Sequence, residues 1–315
     1  MEIQNLQPIL SGNYPITITE ITEGPRGFVA ETFIITCTSG EKYFVKFIDK
    51  PNFISKLKSS IVIQAEIYAR SLKKMNYPIK TNIGELYIET ESGVIALYNF
   101  IDAPQSYEYN LKAMGRLEAS LHIISTDALE PINKEDFKTG EAFEFLDKFE
   151  NTLRYSGTDP IELQLKEVFS NQTDQIRKDY KQFLELNAIC KTQKHNFVFI
   201  HNDAGGNTLV KSPTDLYLID WDDIVLGPAE RDIWTLCDKP EFVEGYNEIR
   251  PNFQINESLY HYYILKLYFT YIVHHLHEIQ NAKPHEYRQK HLHRLIKEVV
   301  DETAWIDRFL KIARS

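Results

Sequence analysis

The sequence predicts an α+β fold with a small, strand-rich N-terminal lobe and a larger, mostly helical C-terminal lobe. Three observations support this prediction: β-branched and alternating segments in the first hundred residues, helical periodicity in most of the remaining chain, and one short β segment within the helical part. The pattern changes at about Ile101, so we predict an N-terminal lobe at residues 1–101 and a C-terminal lobe at residues 102–315.

The N-terminal lobe is predicted to form five strands and one helix. The strands are placed at Ile16 to Thr19, Phe33 to Thr38, Tyr43 to Ile48, Leu86 to Thr90 and Val94 to Phe100. Ser39-Gly40 supplies the turn of a hairpin between the second and third strands. Apolar residues from Ile61 to Met75 recur at the spacing of one helical face, and Pro78 ends this helix.

The C-terminal lobe is predicted to be helical apart from one β insert. Met114 to Ile124 has helical spacing, and four longer segments have the same character: 141–155, 162–190, 258–280 and 285–312. The β insert comprises Phe197 to Ile200, Leu209-Val210 and Leu216 to Ile219. The aromatic residues between Tyr260 and Tyr271 are typical of a core helix.

The composition is that of a globular protein, with 43% hydrophobic and 25% charged residues, which excludes a disordered chain or a membrane bundle. The net charge of −10 disfavours nucleic acid as a partner and favours a cationic small molecule in an acidic cleft. Cys37, Cys190 and Cys237 are too scattered for a disulfide framework, and no apolar run is long enough to cross a membrane. We therefore expect a cytoplasmic protein, a monomer or weak dimer, without a membrane partner.

Lys46 is the first unusual residue, because it shares a strand face with Phe44 and Ile48. A lysine on an apolar face is rare unless it is paired or extends to water at an edge. Glu66 lies beside the apolar stripe of the following helix and is available as a partner. Taken alone, an edge lysine and a solvated helix glutamate are the simpler interpretations.

The strongest chemical signal is the segment Phe199-Ile200-His201-Asn202-Asp203-Ala204-Gly205-Gly206-Asn207, in which a tight polar loop follows an apolar strand. Asp220 ends a second short strand, and Asp222 and Asp223 follow at once. Two carboxylates about 4 Å apart repel by ~4 kcal/mol at an effective dielectric constant of about 20, so a compensating cation is expected. Mg²⁺ with a nucleotide phosphate fits best, whereas an Asx-turn with solvated aspartates would explain one loop but not both.

Taken in order, these residues resemble the aminoglycoside phosphotransferase and choline kinase family, which has a protein-kinase-like fold. The matching parts are Lys46 on the third strand, Glu66 on the next helix, His201-x-Asp203…Asn207 and Ile219-Asp220-Trp221. The segment from Ile219 to Asp232, followed by Phe242…Gly245-Tyr246, is most similar to the spectinomycin phosphotransferase-like branch. The resemblance implies a bilobal protein-kinase-like fold and a phosphotransferase with an alcohol group as acceptor.

The resemblance also implies a nucleotide site in the N-terminal lobe. Lys46 would bind the α- and β-phosphates of ATP or GTP and would be held by Glu66. The base would form hydrogen bonds with the backbone of the hinge residues Asn99, Phe100 and Ile101. The loop over the phosphates, Glu23 to Phe28, lacks the G-x-G-x-x-G pattern of protein kinases, which favours a small-molecule kinase.

Catalysis and Mg²⁺ binding are assigned by the resemblance to the two polar loops. Asp203 would orient the acceptor hydroxyl and take its proton, while His201 would brace the loop. Asn207 and Asp220 would hold Mg²⁺. Asn207 follows Asp203 by four residues, whereas the family spacing is five, so either the loop is shorter here or the metal site differs.

The resulting prediction is an ATP- or GTP-dependent kinase that transfers the γ-phosphate to a hydroxyl of a cationic small molecule. An aminoglycoside or aminocyclitol antibiotic is the first candidate, with antibiotic resistance as the corresponding role. A metabolite kinase for choline, homoserine or a methylthio-sugar stays open, because function depends on the acceptor site rather than on the fold. A nucleotide-binding pseudokinase also stays open, because of the short spacing to Asn207.

Two further groups have structural interpretations. His274, His275 and His277 fit a solvated cluster near a helix end, because positions i, i+1 and i+3 do not present one shared face. Arg231 and Asp232 fit an ion pair or a helix start below the metal loop.

Overall fold

The computed structural model describes residues 3–25, 29–127, 133–138, 140–281, 284–301 and 303–315. Packing divides the chain into two compact units. The first unit comprises Met1–Lys134, Phe197–Asp232 and Leu236–Phe253, and the second comprises Glu135–Asn196, Ile233–Thr235 and Gln254–Ser315. The lobe boundary between residues 101 and 102 stays a prediction, because the segments on both sides of it belong to the first unit.

The order of elements confirms an α+β fold that begins with a strand-rich part and continues mostly as helices. The strands are β1 (Ile18–Glu23), β2 (Glu31–Cys37), β3 (Lys42–Ile48), β4 (Ile88–Thr90), β5 (Gly93–Asn99), β6 (Val198–Ile200), β7 (Thr208–Ser212), β8 (Asp215–Leu218) and β9 (Val225–Gly227). The helices are α1 (Ile3–Asn13), α2 (Pro51–Arg70), α3 (Leu111–His122), α4 (Phe145–Leu153), α5 (Pro160–Thr192), α6 (Glu230–Ile233), α7 (Pro240–Ile249), α8 (Glu257–Gln280), α9 (His285–Arg294) and α10 (Asp307–Arg314).

Five antiparallel strands form the main sheet of the first unit, in the order β1-β2-β3-β5-β4. One face of this sheet packs against α1, whose Leu6 and Leu10 are fully buried. The opposite face packs against α2 through Ile61 and Ala96. Lys46 lies opposite Ala96 in the register of β3 and β5. The alternation of the strand therefore directs Lys46 to the face that α2 covers.

Two N-terminal helices differ from the sequence prediction. α1 is absent from that prediction, because its apolar face is short and Pro8 lies inside the helix. α2 begins at Pro51 rather than at Ile61, and it ends at Arg70. Proline is favourable at the first helical position because its missing N–H would have no helical partner there. The early start places a longer stretch of α2 beside the sheet.

The helix predicted at 285–312 is divided in the structure. α9 ends at Arg294, a π-helical turn covers Leu295–Val300, and α10 begins at Asp307. The backbone of Asp301 is extended, and its side chain accepts a hydrogen bond of 2.9 Å from the N–H of Thr303. An aspartate that bonds a nearby backbone N–H competes with helix formation, which explains the break.

Two short antiparallel pairs, β6 with β9 and β7 with β8, hold the polar loops of the first unit. The loop at residues 201–207 joins β6 to β7, and a single 3₁₀ turn at Trp221–Asp223 follows β8. The N–H of Ile219 donates to the carbonyl of Asn207 at 2.9 Å. The two loops that the sequence singles out therefore lie side by side.

α3 and α7 approach each other backbone to backbone in the first unit. A Cβ atom added at Gly115 would overlap the carbonyl oxygen of Phe242 on α7. A Cβ atom added at Gly245 would overlap the carbonyl oxygen of Lys112 on α3. Glycine on each helix is therefore a condition of their contact, because any larger side chain would separate the two axes.

The second unit is helical around an aromatic core. Tyr262 and Phe269 of α8 are fully buried and pack against rings of α5, as the aromatic run predicts.

The three cysteines of the chain are buried free thiols: Cys37, Cys190 and Cys237. No helix in the described ranges is both long and apolar enough to cross a membrane.

We expect Gly245→Ala to lower the free energy of unfolding by about 2 kcal/mol or more, because the added methyl group would force α3 and α7 apart. The matched control is Gly12→Ala in α1, where the added Cβ would meet no atom within 4 Å. The control should be neutral or stabilising by up to about 1 kcal/mol, since alanine favours a helix more than glycine does. Urea unfolding measures both variants, and equal midpoints would contradict the close packing.

Candidate active site

Lys46 lies among carboxylates on the α2 face of the sheet. Its Nζ donates hydrogen bonds to Asp220 Oδ1 at 2.8 Å and to Asp222 Oδ2 at 2.7 Å, and its side chain is only 12% exposed. Burial alone would lower the pKa of Lys46, but Asp222 and Asp220 outweigh burial and raise the pKa, so the side chain stays charged. An ammonium has three donors, so one N–H is left for a further acceptor.

Asp220 occupies the left-handed backbone region directly after β8, with a φ of 61°. This conformation costs a non-glycine residue about 1 kcal/mol or more, although aspartate tolerates it better than most residues. Burial favours a raised pKa for Asp220, but Lys46 outweighs it and holds the pKa below its usual value. The side chain is 50% exposed, so the turn holds an ionised carboxylate that is open to solvent on one side.

Asp203 lies in the loop between β6 and β7, where neighbouring carboxylates repel it. Desolvation is the largest cause of its shifted pKa, and the charges of Asp220 and Asp223 add to it, so that the pKa rises to about 6. Asn207 acts in the opposite direction, because its Nδ2 donates to Asp203 Oδ2 at 2.9 Å. Asp203 is therefore an exposed carboxylate that holds a proton more readily than an ordinary aspartate.

His201 braces the same loop as a neutral imidazole. It is fully buried, and burial lowers its pKa. Its Nε2 lies 2.9 Å from the carbonyl oxygen of Ile219, and its Nδ1 lies 3.3 Å from the backbone N of Asp203. One tautomer satisfies both contacts, with Nε2–H donating to Ile219 and Nδ1 accepting from Asp203. The imidazole thus ties the loop of Asp203 to the strand end before Asp220.

Asp232 of α6 holds the backbone of the Asp203 loop from below. Its fully buried carboxylate accepts hydrogen bonds from the N–H of His201 at 2.8 Å and from the N–H of Asn202 at 2.6 Å. Arg231 donates from Nε to the side chain of Asn202 at 2.7 Å. Both residues lie in the short helix α6, as the predicted helix start requires, and both side chains bond the loop.

α3 and α7 support Asp232 through a chain of hydrogen bonds. Arg250 donates to the phenol oxygen of Tyr246 at 2.7 Å, which leaves the Tyr246 hydroxyl proton for His122 Nδ1, also at 2.7 Å. The opposite ring nitrogen of His122 lies 3.1 Å from the Asp232 carboxylate and donates to it. The glycine contacts between α3 and α7 therefore determine where the base of the loop lies.

The hinge after β5 is fixed from within the first unit. The N–H of Asn99 donates to the Tyr77 carbonyl at 3.2 Å, and the Asn99 side-chain oxygen accepts from the Tyr77 N–H at 2.6 Å. Phe100 and Ile101 follow directly, and the Ile101 carbonyl accepts from the Ala103 N–H at 3.0 Å. Asn99 therefore holds the hinge in place with its own N–H. Residues 26–28 of the predicted phosphate loop lie outside the described residues.

The predicted ion pair between Lys46 and Glu66 does not form. Glu66 is 46% exposed and lies 3.7 Å from Arg70, one turn further along α2. Arg70 in turn donates to the carbonyl of Ser125 at 2.7 Å. The sequence predicts that the partner of Lys46 lies on α2. In the structure, the turn after β8 brings two other carboxylates, those of Asp220 and Asp222, within hydrogen-bond distance of Lys46.

Two charged contacts of the site are not predicted from the sequence, which places Asp222 beside Asp220 but does not pair it with Lys46. Asp222 is a direct partner of Lys46, and Lys56 of α2 forms an ion pair with Asp223. The three aspartates around Trp221 could have indicated the role of Asp222, because a tight turn directs successive side chains to different neighbours. Nothing pointed to Lys56, because the predicted α2 began only after it.

The charges of this cluster fit a divalent cation. It contains four carboxylates and two ammonium groups, namely those of Asp203, Asp220, Asp222, Asp223, Lys46 and Lys56, which leaves two negative charges in excess. Desolvation and, after it, the charges of Asp220 and Asp223 raise the pKa of Asp203 within this cluster. The atoms available to bind a metal are the carboxylate oxygens and the amide oxygen of Asn207, and oxygen is the ligand type that Mg²⁺ prefers. The residues present therefore suit Mg²⁺.

We expect Asp232→Ala to lower the free energy of unfolding by about 3 kcal/mol, because the N–H groups of His201 and Asn202 would lose their acceptor inside the protein. The matched control is Asp238→Ala, which removes a partly exposed pair with the neighbouring Lys239 and should cost less than about 1 kcal/mol. Chemical denaturation compares the two variants. A loss for Asp232→Ala no greater than that of the control would contradict its role in holding the loop.

Solved structures with a similar fold cover almost the whole chain. Spectinomycin phosphotransferase in complex with ADP and spectinomycin aligns with a TM-score of 0.80 and 20% identity, over 100% of this chain and 99% of its own. An aminoglycoside phosphotransferase from Alicyclobacillus acidocaldarius aligns with a TM-score of 0.69 and 13% identity, over 98% and 95% of the two chains. Choline kinase from Cryptosporidium parvum aligns with a TM-score of 0.60 and 16% identity, over 99% and 96%.

At these identities the structural likeness concerns the fold, and it confirms the predicted kinase-like fold class. A search of curated protein sequences finds no match to this chain. A family model described as the phosphotransferase enzyme family matches residues 87–255, which is 169 of the 315 residues. Because this match spans more than half of its length, the chain belongs to the phosphotransferase enzyme family.

Proposed function

We propose that this phosphotransferase is an ATP-dependent kinase that phosphorylates a hydroxyl group of a cationic small molecule, with an aminocyclitol or aminoglycoside as the acceptor class. The observation that supports this proposal most is the single charged cluster formed by Lys46, Asp203 and Asp220. Phosphoryl transfer depends chiefly on positioning and charge neutralisation, which such a cluster supplies. Spectinomycin phosphotransferase was crystallised with ADP and with AMP, which favours an adenine nucleotide as donor.

Asp203 is the proposed general base. The acceptor hydroxyl would donate a hydrogen bond to its carboxylate and would pass it the proton as the hydroxyl oxygen attacks the γ-phosphorus. The new oxygen–phosphorus bond forms while the bond to the β-phosphate oxygen breaks and ADP leaves. Asn207 holds the carboxylate in one orientation through its contact with Oδ2. The repulsion from Asp220 and Asp223 favours the proton transfer, because it raises the proton affinity of the base.

Lys46 is proposed to bind the α- and β-phosphates. Asp220 and Asp222 occupy two of its donors and fix the ammonium in place, and its third N–H is directed by this geometry to a further acceptor. The backbone of Phe100 and Ile101 is proposed to form hydrogen bonds with the base. Asn99, which the sequence also assigned to the base, is left out of this set because its N–H already donates to the Tyr77 carbonyl. It anchors the strand that leads to Phe100 and Ile101.

Asp220 and Asn207 are the residues that we propose to hold Mg²⁺. The Ile219 N–H bonds the Asn207 carbonyl, so Asn207 lies beside the residue that precedes Asp220 despite its short spacing from Asp203. Bound Mg²⁺ would supply neutralisation of the phosphate charges. The protein contributes the strained turn at Asp220, which keeps a carboxylate ionised and half-exposed at this position.

A cationic acceptor is supported by the charge and by one exposed ring. The chain has a net charge of −10, which raises the local concentration of cations near exposed carboxylates. Tyr107 is 76% exposed, and its hydroxyl lies 3.4 Å from the Cβ position of Gly206 in the Asp203 loop. The side chain of Gln105 bonds the Gly206 carbonyl and fixes the segment that presents this ring. The Tyr107 hydroxyl therefore lies beside the loop of the proposed base, and an exposed tyrosine ring is a favourable surface for an ammonium group.

The test is an ADP-release assay of the purified full chain with Mg²⁺-ATP and, in parallel, Mg²⁺-GTP. The acceptor panel contains spectinomycin, several aminoglycosides, choline, homoserine and a methylthio-sugar. Turnover with an aminocyclitol or aminoglycoside supports the proposal. Turnover with a metabolite alone would overturn the acceptor class, and nucleotide binding without transfer to any compound would overturn kinase activity.

Asp203→Asn should have opposite effects on activity and stability. We expect kcat to fall about 10³-fold, because the general base is lost while the nucleotide contacts remain. The pKa of Asp203 is raised to about 6, so its carboxylate destabilises the folded state above that pH and not below the usual aspartate pKa. Near neutral pH the variant should therefore have a Tm higher by about 2 °C, allowing for the exposure of the group. The gain should shrink towards about pH 5.

The matched control is Asp215→Asn. Asp215 accepts a hydrogen bond of 2.6 Å from Lys74, which lowers the pKa of its carboxyl. Its removal should leave kcat unchanged and the Tm equal or lower. Wild-type kcat in Asp203→Asn would remove Asp203 from catalysis, and a Tm that falls near neutral pH would contradict the electrostatic repulsion.

A further inference from the structure

Three histidines of the second unit meet where α8 packs on α9. His274 and His275 lie on α8 and His291 lies on α9, and one ring nitrogen of each lies within 4.8 Å of the others. His275 and His291 are buried, at 6% and 7% exposure. The solvated helix-end cluster that the sequence suggested is therefore wrong for His275. It holds for His277, which is exposed and lies 3.2 Å from Glu144.

The geometry of the buried pair matches one edge of a metal coordination tetrahedron. Nδ1 of His275 and Nδ1 of His291 are 3.1 Å apart. Two nitrogens that bind the same tetrahedral Zn²⁺ at the usual bond length lie about 3.3 Å apart. His274 lies at the solvent side of this pair, with its ring centroid 5.4 Å from that of His275 and 6.0 Å from that of His291. A rotation of this exposed side chain would complete a three-nitrogen set.

The surroundings of the histidines contain both supporting and opposing charges. Tyr287 packs its ring 4.6 Å from that of His291 and donates from its hydroxyl to Glu278 Oε2 at 2.5 Å. Glu278 lies one helical turn after His274, where its carboxylate favours a cation in the cluster. Arg294 and Lys290 oppose a cation. The side chain of Arg294 is about half-exposed and extends towards Glu298 at 3.9 Å, so solvent partly screens it.

We propose that His274, His275 and His291 bind a divalent transition metal, with Zn²⁺ as the expected ion, and that this metal ties α8 to α9. Imidazole nitrogen selects Zn²⁺, Cu²⁺ or Ni²⁺ rather than Mg²⁺, which prefers oxygen. The exposed side of the cluster leaves the fourth position to water. The three histidines lie wholly in the second unit, and none of them belongs to the proposed kinase site.

The test uses the full chain, stripped of metal with a chelator and titrated with Zn²⁺ or Co²⁺ alone. We expect one ion per chain and a visible Co²⁺ absorption typical of tetrahedral coordination. His274→Ala should weaken Zn²⁺ binding by more than about 100-fold, since loss of a ligand should exceed the loss of a supporting residue. His274 is exposed, so this variant should fold normally. His291→Gln should have the same effect on binding.

The matched control is His277→Ala, which removes an exposed histidine of the same helix and should bind Zn²⁺ as the wild type does. Zn²⁺ should also raise the Tm of the wild type and of this control, but not of His274→Ala, because binding to the folded state stabilises it. Equal affinity in all four proteins would mean adventitious surface zinc only and would overturn the site. Absence of Zn²⁺ binding by the wild type would leave the pair as a simple hydrogen bond and would also overturn it.

Discussion

The contact of Lys46 with Asp220 and Asp222 is the interaction on which the rest of the site depends. A buried ammonium requires compensation, and this one obtains it from a turn far away in the sequence rather than from the adjacent helix. The contact joins the main sheet to the end of β8 and fixes the strained backbone at Asp220. Beside this contact the pKa of Asp203 is raised, first by desolvation and then by the charges of Asp220 and Asp223.

Helix packing determines where the other half of the site lies. Gly115 and Gly245 let α3 and α7 approach closely, and the hydrogen bond between His122 and Tyr246 forms across this contact. His122 then holds Asp232, whose carboxylate fixes the backbone of the Asp203 loop. The close packing of α3 and α7 thus determines the position of the Asp203 carboxylate, although neither helix contributes a group to the proposed reaction.

The sequence predicted what local pattern and motif order determine, namely the strand-rich start, the short β insert and the identity of Lys46, Asp203 and Asp220 as a group. It could not predict the partner of Lys46, because Glu66 and Asp222 are both carboxylates near apolar segments, and only the tertiary register selects between them. The last predicted helix is broken at Asp301 by a hydrogen bond between the Asp301 side chain and the Thr303 N–H, which the spacing of apolar residues cannot indicate. The contact of His291 with His275 could not be predicted for a different reason: the two residues lie on different helices.

The proposed function requires above all that the turn at Asp220 binds a divalent cation together with the nucleotide. Anomalous diffraction from crystals grown with Mn²⁺ and a non-hydrolysable ATP analogue measures this most directly, since Mn²⁺ replaces Mg²⁺ and its position is located independently of the protein. We expect a Mn²⁺ peak within direct bonding distance of an Asp220 carboxylate oxygen, with phosphate oxygens completing its coordination. Mn²⁺ bound elsewhere, or a nucleotide whose phosphates lie away from Lys46 and Asp220, would contradict it.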